Sequence, residues 1–318
     1  MADAVPFVEP ETGEALLLSE AGLRTSDGRL FARDLGIPRF VPNEGYAASF
    51  GLEWNLHRET QLDSRSGTTI SQDRLTQALG HPLVDLAGKT VLEPGCGAGR
   101  FTEHLLAAGA NVYAFDLSTS VDAAKANLGD HPNLVLAQAD IMKPPVPRDS
   151  FDLVVCLGVL QYTPSPVDTL ASLWGLVKPG GRLVVDQYRR EIRRWLKADT
   201  LIRLVMTRLE PHRARAVSER MVKTLFPLHW AVRGSISGRA LLTRVSPVYV
   251  YASAYPSLSK AQHYEWSMLD TFNHLTGQFE RTTTVPEMRR RLEALGGHEI
   301  EVLRGGNGVV ARATKPSP

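Results

Sequence analysis

Residues 90–102 read TVLEPGCGAGRFT. Two apolar residues, Val91 and Leu92, lead into an acid, Glu93. Three glycines follow at alternate positions, Gly95, Gly97 and Gly99, and a helical pattern starts near Arg100. A strand that runs through a glycine turn into a helix N-terminus converges backbone N–H groups on one point. Glycine there lets the backbone approach a ligand through torsions that other residues adopt only under strain. The spacing matters, because the dinucleotide fingerprint is G-x-G-x-x-G. Here it is G-x-G-x-G, with Arg100 where the third glycine of that fingerprint would stand. An unrelated glycine turn is the plain alternative, and the surrounding pattern has to decide.

That pattern alternates. Strands are expected over 90–93, 111–115, 134–137, 151–156 and 182–186, and helices over 100–108, 121–127 and 166–177. Ser118, Thr119 and Ser120 are cap candidates for the second helix. The stretch Lys178-Pro179-Gly180-Gly181 reads as the turn before the fifth strand. Repeated βαβ units give a parallel sheet with helices on both faces and ligands at the carboxyl ends of the strands. A helix over 286–295 follows later, and strands over 298–303 and 308–313 flank Arg304-Gly305-Gly306-Asn307, a hairpin signal.

The flanks divide as residues 1–45, 46–86, 189–262 and 263–318 around a core of residues 87–188. The first is rich in turns, at 11–13 and 26–28, and predicts small β-hairpins. In the second, Tyr46, Phe50 and Trp54 recur at i, i+4, i+8, one face of a helix. They either pack in the core or line a lid, with Gln61 and Arg65 as further candidates. A second helix is expected from residue 71 or 72 to 79, with Thr68, Thr69 or Ser71 capping it and Gly80 ending it. Between Tyr188 and Arg244 there are fourteen Lys/Arg and four Asp/Glu. This segment predicts a helical cap, with either a plainly solvated face or one that meets anions or a membrane surface.

Composition excludes several classes. Of 318 residues 43% are hydrophobic, enough for one large domain or one domain with extensions. A net charge of +2 and no aromatic-basic motif give no argument for nucleic acid. The two cysteines, Cys96 and Cys156, fall inside expected core segments, which points to a reducing compartment, the cytoplasm. The first residues lack the basic and apolar regions of a signal peptide. No apolar run is long enough to span a membrane.

The set E-P-G-C-G-A-G, with V-K-P-G-G at residues 177–181, resembles motif I and a later hallmark of the class I S-adenosylmethionine (SAM) dependent methyltransferases. The resemblance implies an α/β, Rossmann-like doubly wound sheet, mostly parallel, with a C-terminal antiparallel hairpin and a helical cap. It implies SAM as cofactor and S-adenosylhomocysteine as product. Gly95, Cys96, Gly97 and Gly99 would face the amino-acid part of SAM, with Glu93 acting through the loop or a water on its amino group. Asp116, 23 positions after Glu93, can accept hydrogen bonds from both ribose hydroxyls, with Leu117 beside it; nicotinamide-binding folds use a similar acid, and a helix cap is the bland alternative. Asp140 and Ile141 would meet the adenine. Cys156, Leu157 and Gly158 would lie beneath the methionine part, and Gln161 stands where relatives often carry a histidine. Tyr46 and Trp54 belong to a stretch common in relatives and are candidate cofactor contacts. Residues 36–42, GIPRFVP, resemble the end of a small zinc ribbon, but Glu9, Thr12, Arg24 and Asp27 occupy its ligand places, so a metal-free remnant is expected.

Methyl transfer asks mainly for alignment and exclusion of water, with a base only if the acceptor must lose a proton. Candidates lie in residues 262–274, QHYEWSMLDTFNH. Asp270 and His274 are i, i+4 and share a helix face, as do His263 and Trp266 at i, i+3. Asp270, His274 and His263 are therefore the candidate catalytic residues, and Tyr188, Tyr264 and Trp266 the candidate acceptor wall. No metal triad is expected. The reading is a SAM-dependent methyltransferase acting by in-line displacement on a small-molecule acceptor, with anionic or lipid-linked compounds first in line. A SAM-binding scaffold without catalysis and a nicotinamide-dependent oxidoreductase are the rivals.

Overall fold

The computed structural model describes residues 7–42, 45–190 and 198–317. The sequence expectations for residues 1–6, 43–44, 191–197 and 318 lie outside the described residues.

The chain opens with four short strands, β1 (Leu17–Ser19), β2 (Gly22–Arg24), β3 (Leu30–Asp34) and β4 (Ile37–Pro38), paired in that order into an antiparallel sheet. The two expected turns are present. In the ribbon-like layout Glu9 would be a ligand position. Instead its carboxylate accepts the Glu11 and Thr12 N–H groups at 2.7 and 2.6 Å and pairs with Arg29 at 3.0 Å, joining the first turn to the second. Next come α1 (Ala48–Leu56), α2 (Asp63–Ser66) and α3 (Ile70–Leu79). Tyr46 precedes α1 rather than lying on it. None of Thr68, Thr69 or Ser71 caps α3 through its side chain. The Asp63 carboxylate does so from eight residues upstream, accepting the Ser71 N–H at 2.9 Å and the Gln72 N–H at 2.8 Å. Burial alone would raise its pKa, but these N–H groups and His104 outweigh burial and hold it low.

The core follows as β5 (Thr90–Pro94), α4 (Thr102–Ala107), β6 (Asn111–Asp116), α5 (Ser120–Leu128), β7 (Leu134–Gln138), β8 (Phe151–Cys156), α6 (Pro166–Leu176) and β9 (Val177–Tyr188). The cap contributes α7 (Ala198–Met206), α8 (Pro211–Ala231) and α9 (Ile236–Val245). The chain closes with α10 (Lys260–Thr276), α11 (Val285–Ala294), β10 (His298–Gly305) and β11 (Gly308–Thr314). Seven strands form one sheet in the order β10-β11-β9-β8-β5-β6-β7. Only β11 runs against the rest: it pairs antiparallel with both β9 and β10, while the other neighbours are parallel. The terminal hairpin is thus inserted into the sheet.

Strands such as β5 and β8 are buried along nearly their whole length, as a sheet covered on both faces requires. One apolar layer joins Leu170, Leu173 and Trp174 of α6 to Met288 and Leu292 of α11 and to Phe31 and Phe40 of the N-terminal segment. The other joins Leu75 and Leu79 of α3, Leu105 of α4 and Val121 of α5. The N-terminal sheet docks beside β7, with the Phe40 N–H donating to the Gln138 carbonyl at 2.9 Å, so the β7 edge of the large sheet is covered. Lys178–Gly181 falls within the bounds of β9 but bulges out of the ladder as the expected turn: β8 pairs with Val177 and then, past the shift between Phe151 and Leu153, with Arg182 onward. A Cβ on Gly181 would stand 2.9 Å from the Phe151 carbonyl, so glycine is what lets the bulge close.

Glu93 is buried under this sheet, and its Oε2 accepts the Thr102 hydroxyl at 2.6 Å, tying β5 to the first turn of α4. Burial, against that hydrogen bond, pushes its pKa from 4.5 to about 8. A raised folded-state pKa adds stability that is complete below the unfolded value and lost as pH climbs through the folded one. The wild type should therefore lose stability relative to Glu93→Gln between about pH 4.5 and 8 in denaturant titrations. In the same assay Asp63→Ala, which leaves two N–H groups of α3 without a partner, should lower stability by about 2 kcal/mol.

Candidate functional site

Strand order reverses between β5 and β8, and the turns leaving those strands splay apart at their carboxyl ends. A cavity of about 390 Å³ fills the gap. Its floor is the glycine turn. The Gly95 N–H donates to the Phe115 carbonyl at 2.7 Å, and the Gly97 N–H donates to Asp116 Oδ2 at 3.1 Å, which ties the turn to the end of β6. A Cβ on Gly95, where φ is +78°, would stand 2.3 Å from Val159 Cγ2 of the turn after β8, so a side chain is excluded on packing and on torsion. Asp116 Oδ1 accepts both the Ser118 N–H and hydroxyl at 2.9 and 2.8 Å. Ser118 thus orients Asp116 while its Oγ accepts the Ser120 N–H at the start of α5 at 3.3 Å, and the Asp116 carboxylate keeps further lone pairs for a ligand.

Of the residues singled out from the sequence for a cofactor, Gly95, Cys96, Gly97, Asp116 and Leu117 line this floor, and Ile141, Leu157 and Gly158 line it from the next turns. Tyr46 and Trp54 form the roof. The Trp54 indole lies over Gly97, 3.5 Å from where a Cβ would be, and burial next to the Asp140 and Asp116 charges raises the Tyr46 pKa. Four others do not line the cavity. Glu93 faces Thr102 from below. Gly99 faces α5, where a Cβ would meet Leu128 at 2.8 Å. Asp140 accepts the Met142 N–H at 2.9 Å beside the cavity. Cys156 is sealed in the sheet, and burial drives its thiol pKa well up, as it does for Cys96.

The opposite wall comes from α10, through Trp266, Asp270, Asn273 and His274 at helical spacing. Asp270 Oδ1 accepts the Gln61 amide at 3.1 Å, and burial raises its pKa. His274 Nε2 lies 3.1 Å from Asp199 and its Nδ1 3.7 Å from Glu280, so it is held by two carboxylates and not by Asp270. Tyr188 is in the wall, its hydroxyl 2.8 Å from that of Tyr162. Two sequence candidates are corrected. His263 stands two turns, about 10 Å, along α10 from Asp270, outside the cavity and 5.4 Å from the Trp230 ring; burial lowers its pKa. Tyr264 turns to Phe226 of α8, ring to ring at 5.2 Å.

Several cavity residues were not singled out as site residues. Arg100 donates to Ser71 Oγ at 2.8 Å and to Gln61 Oε1 at 2.6 Å, while its Nη2 is buried without a hydrogen-bond partner. Burial, with the like charge of Arg74, lowers its pKa to about 10, so it is a cation at neutral pH. Arg74 donates to Asp186 at 2.7 Å, and its Nε is likewise buried without a partner. Asp186 also receives the Gly158 N–H at 2.6 Å. Gln161 is fully buried, and neither end of its amide has a partner; the Asn273 oxygen is in the same state. Tyr249, Tyr251 and Tyr255 complete the wall. Those three tyrosines within seven residues were a legible signal. Arg74, on a polar helix surface with its partner in β9, offered none.

Comparison with known proteins fits this geometry. A methyltransferase-domain family model matches residues 92–185. Over 119 residues the chain is 32% identical to a ubiquinone biosynthesis O-methyltransferase of Burkholderia multivorans, covering 36% of this chain and 50% of that one. Over 117 residues it is 35% identical to the enzyme of the same name from Aromatoleum aromaticum, with 36% and 50% covered. The chain thus spans about half the length of the curated relatives it matches. Human N-acetylserotonin methyltransferase, solved in complex with SAM, superposes with a TM-score of 0.47 at 16% identity, over 87% of this chain and 61% of that one. The matched segment coincides with the glycine turn and β5–β9, so the core of the chain carries a methyltransferase domain.

Proposed function

We propose that the chain transfers a methyl group from SAM to a small-molecule acceptor with an anionic group. The observation that carries this reading is the meeting, in one cavity, of a glycine turn tied to Asp116 with a second wall of buried polar atoms that lack partners. Buried polar groups are nearly always paired, so Gln161, Asn273, Arg74 and Arg100 point to a polar ligand.

The residues present fit SAM. Asp116 would accept the ribose hydroxyls, Ile141 and Leu157 would flank the adenine and methionine parts, and Trp54 and Tyr46 would close the roof. When bound, SAM supplies an activated methyl group on a sulfonium. The chain's own work is alignment and exclusion of water. Gln161 and Asn273 would orient the acceptor by hydrogen bonds that their buried amides now lack. Arg100 and Arg74 would neutralise its anionic group. Asp270, with its pKa raised by burial, is the group able to take a proton from the acceptor. His274, gripped by Asp199 and Glu280, would hold the far end of α10 in place. The O-methylation named for the curated relatives makes phenols and enols the first acceptors to try.

Calorimetric titration should give micromolar binding of S-adenosylhomocysteine and none of NAD. Asp116→Ala should weaken that binding at least about tenfold, and, because it leaves the Gly97 and Ser118 N–H groups without their acceptor, should also lower the melting temperature. Unaltered affinity would remove Asp116 from the cofactor site. With labelled SAM and an acidic phenol panel, Arg100→Met should raise KM for carboxylated acceptors at least about tenfold and leave uncharged ones alone. Asp270→Asn should lower kcat with S-adenosylhomocysteine affinity intact. Binding without methyl transfer to any panel member would favour the scaffold reading.

A further inference from the structure

The cap helices carry an outer surface that the cavity does not use. Sixteen large apolar side chains stand exposed among the described residues, and eight of them belong to α7, α8 and α9. Leu201, Leu204 and Val205 of α7 and Ile236, Leu241 and Val245 of α9 are each more than half exposed. On α7 the exposed residues are spaced i, i+3, i+4, one face of the helix, while Met206 is buried against Phe272 and Leu275 of α10. No residue of α9 is buried, although the helix lies against α7. Singly exposed apolar residues are ordinary, but such a cluster on two adjacent helices marks an interaction surface.

Charge says what covers it. From residue 198 to 245 there are nine Lys/Arg and three Asp/Glu, in a chain whose net charge is only +2, so the remainder is net negative. Arg208, Arg213, Arg220, Lys223, Arg233 and Arg244 are exposed. A nucleic acid would pair with these cations but leave the leucines and valines in water. A second copy would set one basic cap against another. A bilayer with anionic headgroups satisfies both features, taking the apolar side chains at the acyl boundary and the cations at the phosphates. No helix among the described residues is long and apolar enough to cross a membrane, so this contact lies on the surface.

We propose that α7–α9 dock the protein on anionic lipid bilayers, with the exposed apolar residues of α7 and α9 entering the interface. The segment that leaves α9 brings Tyr249, Tyr251 and Tyr255 into the cavity wall, so docking sets the acceptor side of the cavity next to the lipid surface. The inference does not rest on methyl transfer and is tested without it. The full chain is floated with phosphatidylcholine vesicles, with and without phosphatidylglycerol, at low and high salt. Binding should need phosphatidylglycerol and weaken with salt. It should fall at least about tenfold both in Leu201→Asp/Val205→Asp and in Arg208→Glu/Arg244→Glu. Melting temperature and S-adenosylhomocysteine affinity should be unchanged in both, and Ile236→Asp/Leu241→Asp provides a second apolar variant if the first fails to fold. No flotation, equal flotation on phosphatidylcholine alone, or variants that float like the wild type would overturn the proposal. So would a dimer in solution that Leu201→Asp/Val205→Asp dissolves, which would assign this face to a second copy.

Discussion

Two neighbouring parallel strands whose crossovers leave in opposite directions cannot both be covered at their carboxyl ends. In this chain those strands are β5 and β8, and the gap between them is the cavity. The glycine turn after β5 keeps its shape because a side chain on Gly95 would strike Val159 and because Phe115 and Asp116, at the end of β6, accept its N–H groups. The turn is set by β6 as much as by its own sequence, so a change at Asp116 acts on the shape of the turn as well as on whatever it binds.

The remaining walls are built by segments that the core does not itself contain, and one amide joins them. Gln61, between α1 and α2, accepts from Arg100 and donates to Asp270. The lid, the first turn after the glycines and α10 are thereby held in one network. Each group is satisfied by the next except at the cavity face, where Arg100, Gln161 and Asn273 keep unused hydrogen-bonding capacity. In a low-dielectric interior such capacity is unfavourable unless a ligand completes it. That is the physical ground for the polar, anionic acceptor proposed above.

The two faces of the cap serve different ends. Its inner face, through α7 and α8, presses on α10 and steadies the helix that bears Asp270 and His274. Its outer face is apolar and basic. The contrast between a net-negative remainder and a net-positive cap explains how a chain of nearly neutral overall charge can carry a directional electrostatic surface.

Local sequence determined the parts whose signals are local. The glycine turn, the βαβ alternation, the closing hairpin and the Phe50–Trp54 pair on α1 were legible because each depends on residues within a dozen positions. The bounds of β8 and the acid at the end of β6 matched their expectations for the same reason. Tertiary structure decided whatever depends on distant partners. Asp63 caps α3 from outside it, and Arg74 meets Asp186 across 112 positions. His263 and Asp270 share one face of α10, as their spacing required, yet only Asp270 reaches the cavity. Helical periodicity sets the direction of a side chain, whereas its position along the axis acquires meaning only when a neighbour, here Trp230 of α8, occupies one end of that face.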